Sequence, residues 1–214
     1  MYYIITCPEH SYQVESVSLV VIFYFVFVLI TDASPLSLDP NTVQDQLVLS
    51  DDDRRVMFTG RNQGHPDLPE RFTKWLNVLS REALPGLIYS EIESSGENVE
   101  IAVCYKEMNR KDEDLSEFGR TDQSWRLCCG GPDGAKHYQF SHNNIETAVS
   151  GPASSTGTIR FGMLIDQPGQ FLRCYSVDVE GNKMTLLHTE KVKFTKDPYL
   201  GINTSGTAEV CKIW

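Results

Sequence analysis

From Pro35 onward, apolar and polar positions alternate in short runs. In VEIAVCY, Val99, Ile101, Val103 and Tyr105 fall on one face and Glu100, Ala102 and Cys104 on the other, the period of two that side chains follow along a strand. TIRFGMLI repeats the pattern with an inward set of Ile159, Phe161, Met163 and Ile165. QFLRCYSVDV comes next, after Asp166-Gln167-Pro168-Gly169. Proline there presets φ and glycine supplies a positive φ, so the two segments are predicted to pair as a hairpin. Shorter strands are predicted at Gln46–Ser50, Arg55–Thr59, Ser124–Cys129, His137–Phe140, Lys183–Thr189 and Thr207–Ile213. Many short strands separated by turn residues indicate an all-β sandwich or barrel. One stretch reads as helical, with Phe72, Trp75, Leu76 and Leu79 at i, i+3, i+4 and i+7 after Pro69, but it is too short to change the class.

No repeat, low-complexity tract or linker divides the chain after Pro35, so residues 35–214 are taken as one domain and residues 1–34 as a leader. Within the leader, Ser16–Thr31 (SVSLVVIFYFVFVLIT) is uncharged. As a helix these residues reach roughly 24 Å, short of the roughly 30 Å hydrocarbon core of a bilayer. A signal peptide fits the length better, and Thr31-Asp32-Ala33 supplies small residues for cleavage. Yet Glu9 and Glu15 precede the apolar run where a signal peptide carries Lys or Arg. Signal, anchor and non-native extension therefore all remain open readings of the leader.

The 214 residues carry a formal net charge of −10, with Lys and Arg scattered rather than gathered into a stripe. That balance repels phosphate backbones and disfavours nucleic acid as a partner. The pair Arg110-Lys111 is the local exception, suited to an acidic peptide or simply to a solvated turn. Six cysteines lie far apart without a CxxC spacing, and adjacent Cys128 and Cys129 diverge on a strand. Reduced, buried thiols in a cytosolic protein follow more directly than a disulfide framework.

Candidate chemistry is sparse. Cys128, Cys129, His137 and His142 match no common zinc spacing, so no metal is expected. The glycines of CGGPDG are followed by no Lys-Ser/Thr and open no helix, which argues against a phosphate cradle. DDDRR at Asp51–Arg55 lacks the spaced oxygens of a calcium loop and reads as a solvated turn. The sequon Asn203-Thr204-Ser205 arises readily by chance. In LIYSEIE, Ser90 lies between two carboxylates, but Glu91 and Glu93 alternate to the opposite face and no GxSxG elbow or triad is present. No catalytic residue and no cofactor is expected.

The order of motifs carries more than any single one. Leu38-Asp39-Pro40 is followed by PERFTKWLNVL (Pro69–Leu79), YSEIE (Tyr89–Glu93), FGRTDQSWRLC (Phe118–Cys128), FSHNN (Phe140–Asn144) and RFGMLIDQPGQFLRCYSV (Arg160–Val177). This series resembles the PRY-SPRY domain of tripartite-motif ubiquitin ligases, butyrophilins and fish NACHT-type receptors. The wording of LDPNT and PERF is closest to the fish versions, including the C-terminal domain of stonustoxin-type cytolysins. The resemblance covers Leu36 to Trp214 and implies a bent, concanavalin-type sandwich of two antiparallel sheets that binds proteins or peptides through its loops, without catalysis. It also places Ser90 where the family has a core tryptophan, in a Tyr-Trp-Glu-Val-Glu run, with partial refilling by nearby aromatics expected.

Matched by motif, the partner-binding residues implied are Tyr105 and Arg110 in the turn after VEIAVCY, Asp122 and Trp125 in FGRTDQSW, and Tyr138 after the glycine loop. Arg126 and Lys136 are the outward alternatives should Trp125 be core. Two functional readings follow. One is a cytoplasmic recognition module in innate-immune signalling or ubiquitin-ligase substrate selection; no RING, B-box or coiled-coil pattern is present to ubiquitinate. The other is a secreted or membrane-anchored, stonustoxin-like chain displaying the same domain, with membrane association only through the leader.

Overall fold

The computed structural model describes residues 36–96, 98–130, 137–152, 158–178, 180 and 183–211, together with the backbone of two N-terminal strands. The strands are β1 (Tyr3–Thr6), β2 (Ser11–Val14), β3 (Leu47–Ser50), β4 (Arg55–Phe58), β5 (Asn77–Ala83), β6 (Leu87–Ser95), β7 (Asn98–Tyr105), β8 (Ser124–Gly130), β9 (His137–His142), β10 (Ile145–Val149), β11 (Thr158–Asp166), β12 (Phe171–Asp178), β13 (Lys183–Lys191), β14 (Pro198–Thr204) and β15 (Thr207–Val210). They form a nine-stranded sheet, ordered β1-β2-β13-β12-β11-β6-β15-β4-β3, and a six-stranded sheet, ordered β10-β9-β8-β7-β14-β5. Pairing is antiparallel throughout, except for a single parallel contact between β2 and β13. The all-β class that the alternation indicated and the sandwich of two antiparallel sheets that the resemblance implied are therefore both present.

The hairpin across Asp166-Gln167-Pro168-Gly169 forms, Asp166 opposite Phe171 and Arg160 opposite Val177, but the positive φ of its turn falls at Gln170 rather than at Gly169. Ile159, Phe161, Met163 and Ile165 enter the core between the sheets, where they meet Val99, Ile101, Val103 and Tyr105 from the other layer. The opposite face of β7 is also buried. Ala102 and Cys104 lie under a second cluster made with Phe72, Leu79, Met108 and Phe118. The connection from Lys106 to Gln123 thus folds back over the outer face of the six-stranded sheet.

The helical spacing at Phe72–Leu79 does not become a helix. Leu79 lies in β5, which pairs with β14, while Phe72 meets Phe118 edge-on at 6.0 Å. The Trp75 indole N–H donates to the Glu113 carbonyl at 2.7 Å. Tertiary packing on both sides of the segment outweighs a weak local preference. The Asp51–Asp53 turn links β3 to β4, all three residues at positive φ, with Asp53 paired to Arg81 at 2.7 Å. In the sequon, Asn203 lies within β14 and donates its side-chain amide to Asn77 Oδ1 at 2.7 Å.

Ser90 is 5% exposed and shares its face with the core residues Ile88 and Ile92. Across the strand pair it faces Met163, so a flexible thioether, rather than an aromatic ring, occupies the facing position. Ser90→Trp alone is expected to overpack this position and cost about 1–3 kcal/mol. Adding Met163→Ala should recover most of that loss. Thermal unfolding of the four-member cycle measures the coupling, and simple additivity would show that Met163 does not occupy the tryptophan space.

Candidate binding site

At one end of the outer face of the six-stranded sheet lies a cleft of about 200 Å³. Its walls come from two parts of the chain: Asp39, Thr42, Pro69, Glu70, Leu79 and Ser80 from the residues before β6, and Lys106, Met108, Arg110 and Tyr199 from the later strands and loops. Thr42 anchors the first wall by donating to the Asp39 carbonyl at 2.9 Å and accepting the Leu79 N–H at 3.0 Å. Behind it, Arg71 is 3% exposed and donates to the carbonyls of Pro66, Pro40 and Val43 at 2.7, 3.1 and 2.5 Å. One guanidinium therefore satisfies three carbonyls of an irregular segment.

Arg110 builds the second wall. It is 7% exposed, donates to the carbonyls of Met108 and Lys106 at 3.0 and 2.6 Å, and stacks on the Phe72 ring at 4.5 Å. Its guanidinium shapes the loop more than it faces solvent. The exposed cation of the cleft is Lys106, with its ammonium 5.5 Å from the Tyr199 ring. A cation, an aromatic ring and the carboxylates of Asp39 and Glu70 thus converge on a space sized for one or two side chains.

The same loop also contributes Glu117 to a second polar feature. Arg126 of β8 donates to Glu100 at 3.1 Å, Glu117 at 3.0 Å and Ser141 Oγ at 3.0 Å, and lies 3.7 Å from Glu146. Burial pushes the Glu100 carboxyl up to about 7, with nearby Glu117 adding to the effect against the opposing pull of Arg126. Neither Glu100 Oε2 nor Arg126 Nε, both buried, has a hydrogen-bond partner among the described residues.

The five residues taken from the motifs have separate fates. Trp125 is 5% exposed, stacked on His142 at 4.6 Å and edge-on to Tyr105 and Phe194. Tyr105 is 8% exposed, and its hydroxyl accepts the Thr195 N–H at 3.0 Å. Tyr138 is 4% exposed and donates to the Pro152 carbonyl at 3.2 Å. Alternation puts all three on the core side of their strands. Only Asp122 presents an exposed side chain, and only Arg110 lines the cleft. Lys136 lies outside the described residues, as does Cys7.

Sequence reasoning missed Lys106, Glu70 and Tyr199. Their pattern carries no motif, and only the return of the loop to β5 and β14 brings them together. The described cysteines are unsuited to nucleophilic work: burial pushes Cys104, Cys128 and Cys174 up to about 12 and Cys211 up to about 11. Cys129 sits in the core, His142 bonds the Ser124 carbonyl at 2.9 Å, and no group of three or more potential metal ligands occurs among the described residues.

Comparison with known proteins agrees with this architecture. The PRY profile, described as SPRY-associated domain, matches residues 36–84, the part of the chain that forms the first wall of the cleft. Tripartite motif-containing protein 16 of Mus musculus is 31% identical over 170 residues, covering 78% of this chain. The chain carries a PRY-SPRY domain. Stonustoxin subunit alpha of Synanceia horrida is 32% identical over 169 residues, again 78% of this chain. The chain spans 29% and 23% of the lengths of these two relatives. The crystal structure of the TRIM65 PSpry domain superposes with a TM-score of 0.71 and 24% identity, covering 86% of this chain and 93% of that one, a likeness of fold. The PRY part supplies β3 to β5 and the Arg71-stapled segment, and the cleft lies where it meets the SPRY strands.

Proposed function

We propose that the chain is a non-catalytic recognition module whose PRY-SPRY domain takes a protein or peptide partner at the junction cleft, in innate-immune signalling or ubiquitin-ligase substrate recognition. The observation that carries this reading is the convergence of Lys106, Tyr199, Glu70 and Asp39 on one concave space. An exposed lysine beside a ring and two carboxylates offers both charge and stacking to a side chain of mixed character. Asp122 is assigned to the rim, and Arg110 holds the loop that carries Lys106. Tyr105, Trp125 and Tyr138 act from behind the surface by fixing the strands.

Proximity labelling with the full chain tests this surface when repeated with Lys106→Glu and Glu70→Lys, both at exposed positions. The main partner's recovery should fall at least about tenfold, as for a loss of about 1.4 kcal/mol or more, with the melting temperature unchanged. Undiminished recovery in both variants rejects the cleft.

A second reading, in which a secreted or membrane-anchored chain displays the same domain, is favoured by the stonustoxin relative and the apolar Ser16–Thr31 run. Fractionation of cells expressing a C-terminally tagged chain separates the two. Soluble cytosolic protein removes the second reading, and a glycosylated or membrane-pelleting product removes the first.

A further inference from the structure

The two edges of the six-stranded sheet differ. At the β5 edge the chain covers itself: the carbonyls of Asn77 and Leu79 accept the Gln44 and Asp39 N–H groups at 3.1 and 2.8 Å, and the Arg81 N–H donates to the Ser37 carbonyl at 2.8 Å. At the β10 edge no described strand lies alongside. Ile145, Glu146, Thr147 and Ala148 are all exposed, and Ile145, at 69%, is the most exposed large apolar side chain among the described residues. β10 carries no Lys, no Pro and no bulge against β9, the devices that usually keep an edge strand from pairing again.

The hairpin between β9 and β10 fixes which backbone groups of that edge are free. Asn143 and Asn144 have φ of 50° and 60°, a two-residue type I′ turn that makes His142 and Ile145 a hydrogen-bonded pair. Bonding alternates from there along the ladder. Thr147 and Val149 therefore also bond β9, while the N–H and C=O groups of Glu146 and Ala148 point away from the sheet. The turn itself is held in place, because the Thr121 and Gly119 carbonyls accept the Asn143 and Asn144 N–H groups at 3.2 and 3.0 Å. A fixed element thus presents an open row of donors and acceptors.

We propose that β10 pairs antiparallel with β10 of a second copy of this chain, about a two-fold axis at Thr147, so that the two six-stranded sheets become one. The choice of occupant follows from register. Only registers that set outward groups against outward groups can bond. Centred on Thr147, Glu146 of each copy exchanges backbone bonds with Ala148 of the other. On the inner face, Ile145 of each then covers Val149 of the other, a residue that already packs on the inter-sheet core, and the two threonines face each other. Apolar and Thr–Thr pairs are favourable across strands. Centring on Glu146 instead sets like charges directly opposite, and centring on Ala148 leaves Ile145 against Gly151. The strand is therefore self-complementary in one register, as an isologous two-fold contact requires. Each Glu146 brings Arg126 at 3.7 Å and the Gln139 amide at 3.0 Å. The formal net charge of −10 on each copy is what opposes the contact, so added salt should strengthen it. Pairing is independent of the cleft, which lies along β5 and β14 at the other end of the same sheet and stays open in both copies.

Disulfide cross-linking of the full chain tests the register, with the unsubstituted chain giving the background from its own cysteines. Facing residues at the non-bonded positions of such a pair have Cα atoms about 4.5 Å apart, within reach of a disulfide. Under mild oxidation Thr147→Cys should form a covalent dimer at least about tenfold faster than Ile145→Cys or Val149→Cys alone, whereas those two variants, mixed, should link to each other as readily as Thr147→Cys does to itself. Adding Ala148→Pro to Thr147→Cys removes an outward N–H that β9 does not use and should slow linking about tenfold in a chain that still unfolds cooperatively. Should that variant unfold, Ile145→Lys in the Thr147→Cys chain, at a position 69% exposed, gives the same reading. No linking above background, linking without preference among the three positions, or linking that survives the edge substitution overturns the proposal. Capture of some other chain by Thr147→Cys in place of a second copy overturns it as well, and assigns the edge to a different extended peptide.

Discussion

Arg126→Ala is expected to destabilise the domain by about 3–5 kcal/mol, the cost of stranding buried charges whose counterion is gone. The Arg126 side chain is 7% exposed and those of Glu100 and Glu117 are 13% and 21% exposed, so water cannot replace the guanidinium. Against a usual total stability of about 5–15 kcal/mol this is a large fraction, and a melting temperature lower by at least about 6 °C should register it. A fall within about 1 kcal/mol would mean that the carboxylates reach solvent after all.

The same cluster gives the domain a pH signature. Burial pushes the Glu100 carboxyl up to about 7 in the folded protein, above its ordinary value of 4.5. Between those values the folded state holds a proton that the unfolded state has released. Stability from this group is therefore highest toward the acid end of the window and is lost as pH rises through about 7. Glu100→Gln should flatten that part of the profile and gain on the order of 1–3 kcal/mol at pH 8, with little change at pH 5. Denaturant titrations of both proteins across pH 5–8 check it, and parallel profiles would exclude Glu100 as the titrating group.

Phe118→Ala is expected to cost about 3–5 kcal/mol through the cavity it leaves. Phe118 is 1% exposed, meets Phe72 edge-on, and lies over Gly201, where an added Cβ would fall 2.6 Å from its ring. The ring is the bolt between the PRY part and strand β14. Its loss should loosen residues 69–76 and the Lys106–Gln123 connection before the inter-sheet core. Hydrogen exchange would then show faster protons at Thr73 and Asn77 while Ile101 and Phe161 stay protected. Uniform acceleration would place Phe118 in the global core instead.

Much of the fold was legible because strand alternation is a local signal. Val99 to Tyr105 and Ile159 to Ile165 announce their inward faces, and Pro168-Gly169 announces its hairpin, since each depends on neighbours two residues away. The helical spacing of Phe72 to Leu79 misled for the complementary reason. Those apolar residues answer to Phe118, Glu113 and β14, all distant in the chain, and no local period encodes such partners. The candidate site was legible only in part. Of the residues taken from the motifs only Arg110 lines the cleft, and the pattern could not say which aromatic faces inward. Large rings that favour interfaces equally favour cores, and Trp125, Tyr105 and Tyr138 went to the core.

By itself, then, the sequence determined an all-β chain, its strand faces, its acidic surface and its kinship, because alternation, charge and motif order are written residue by residue. Only the tertiary structure decided that Lys106, Glu70 and Tyr199 line one cleft and that Arg126 balances three carboxylates. Those outcomes depend on which strands become neighbours across the sheets, and that is set by the packing of the whole chain.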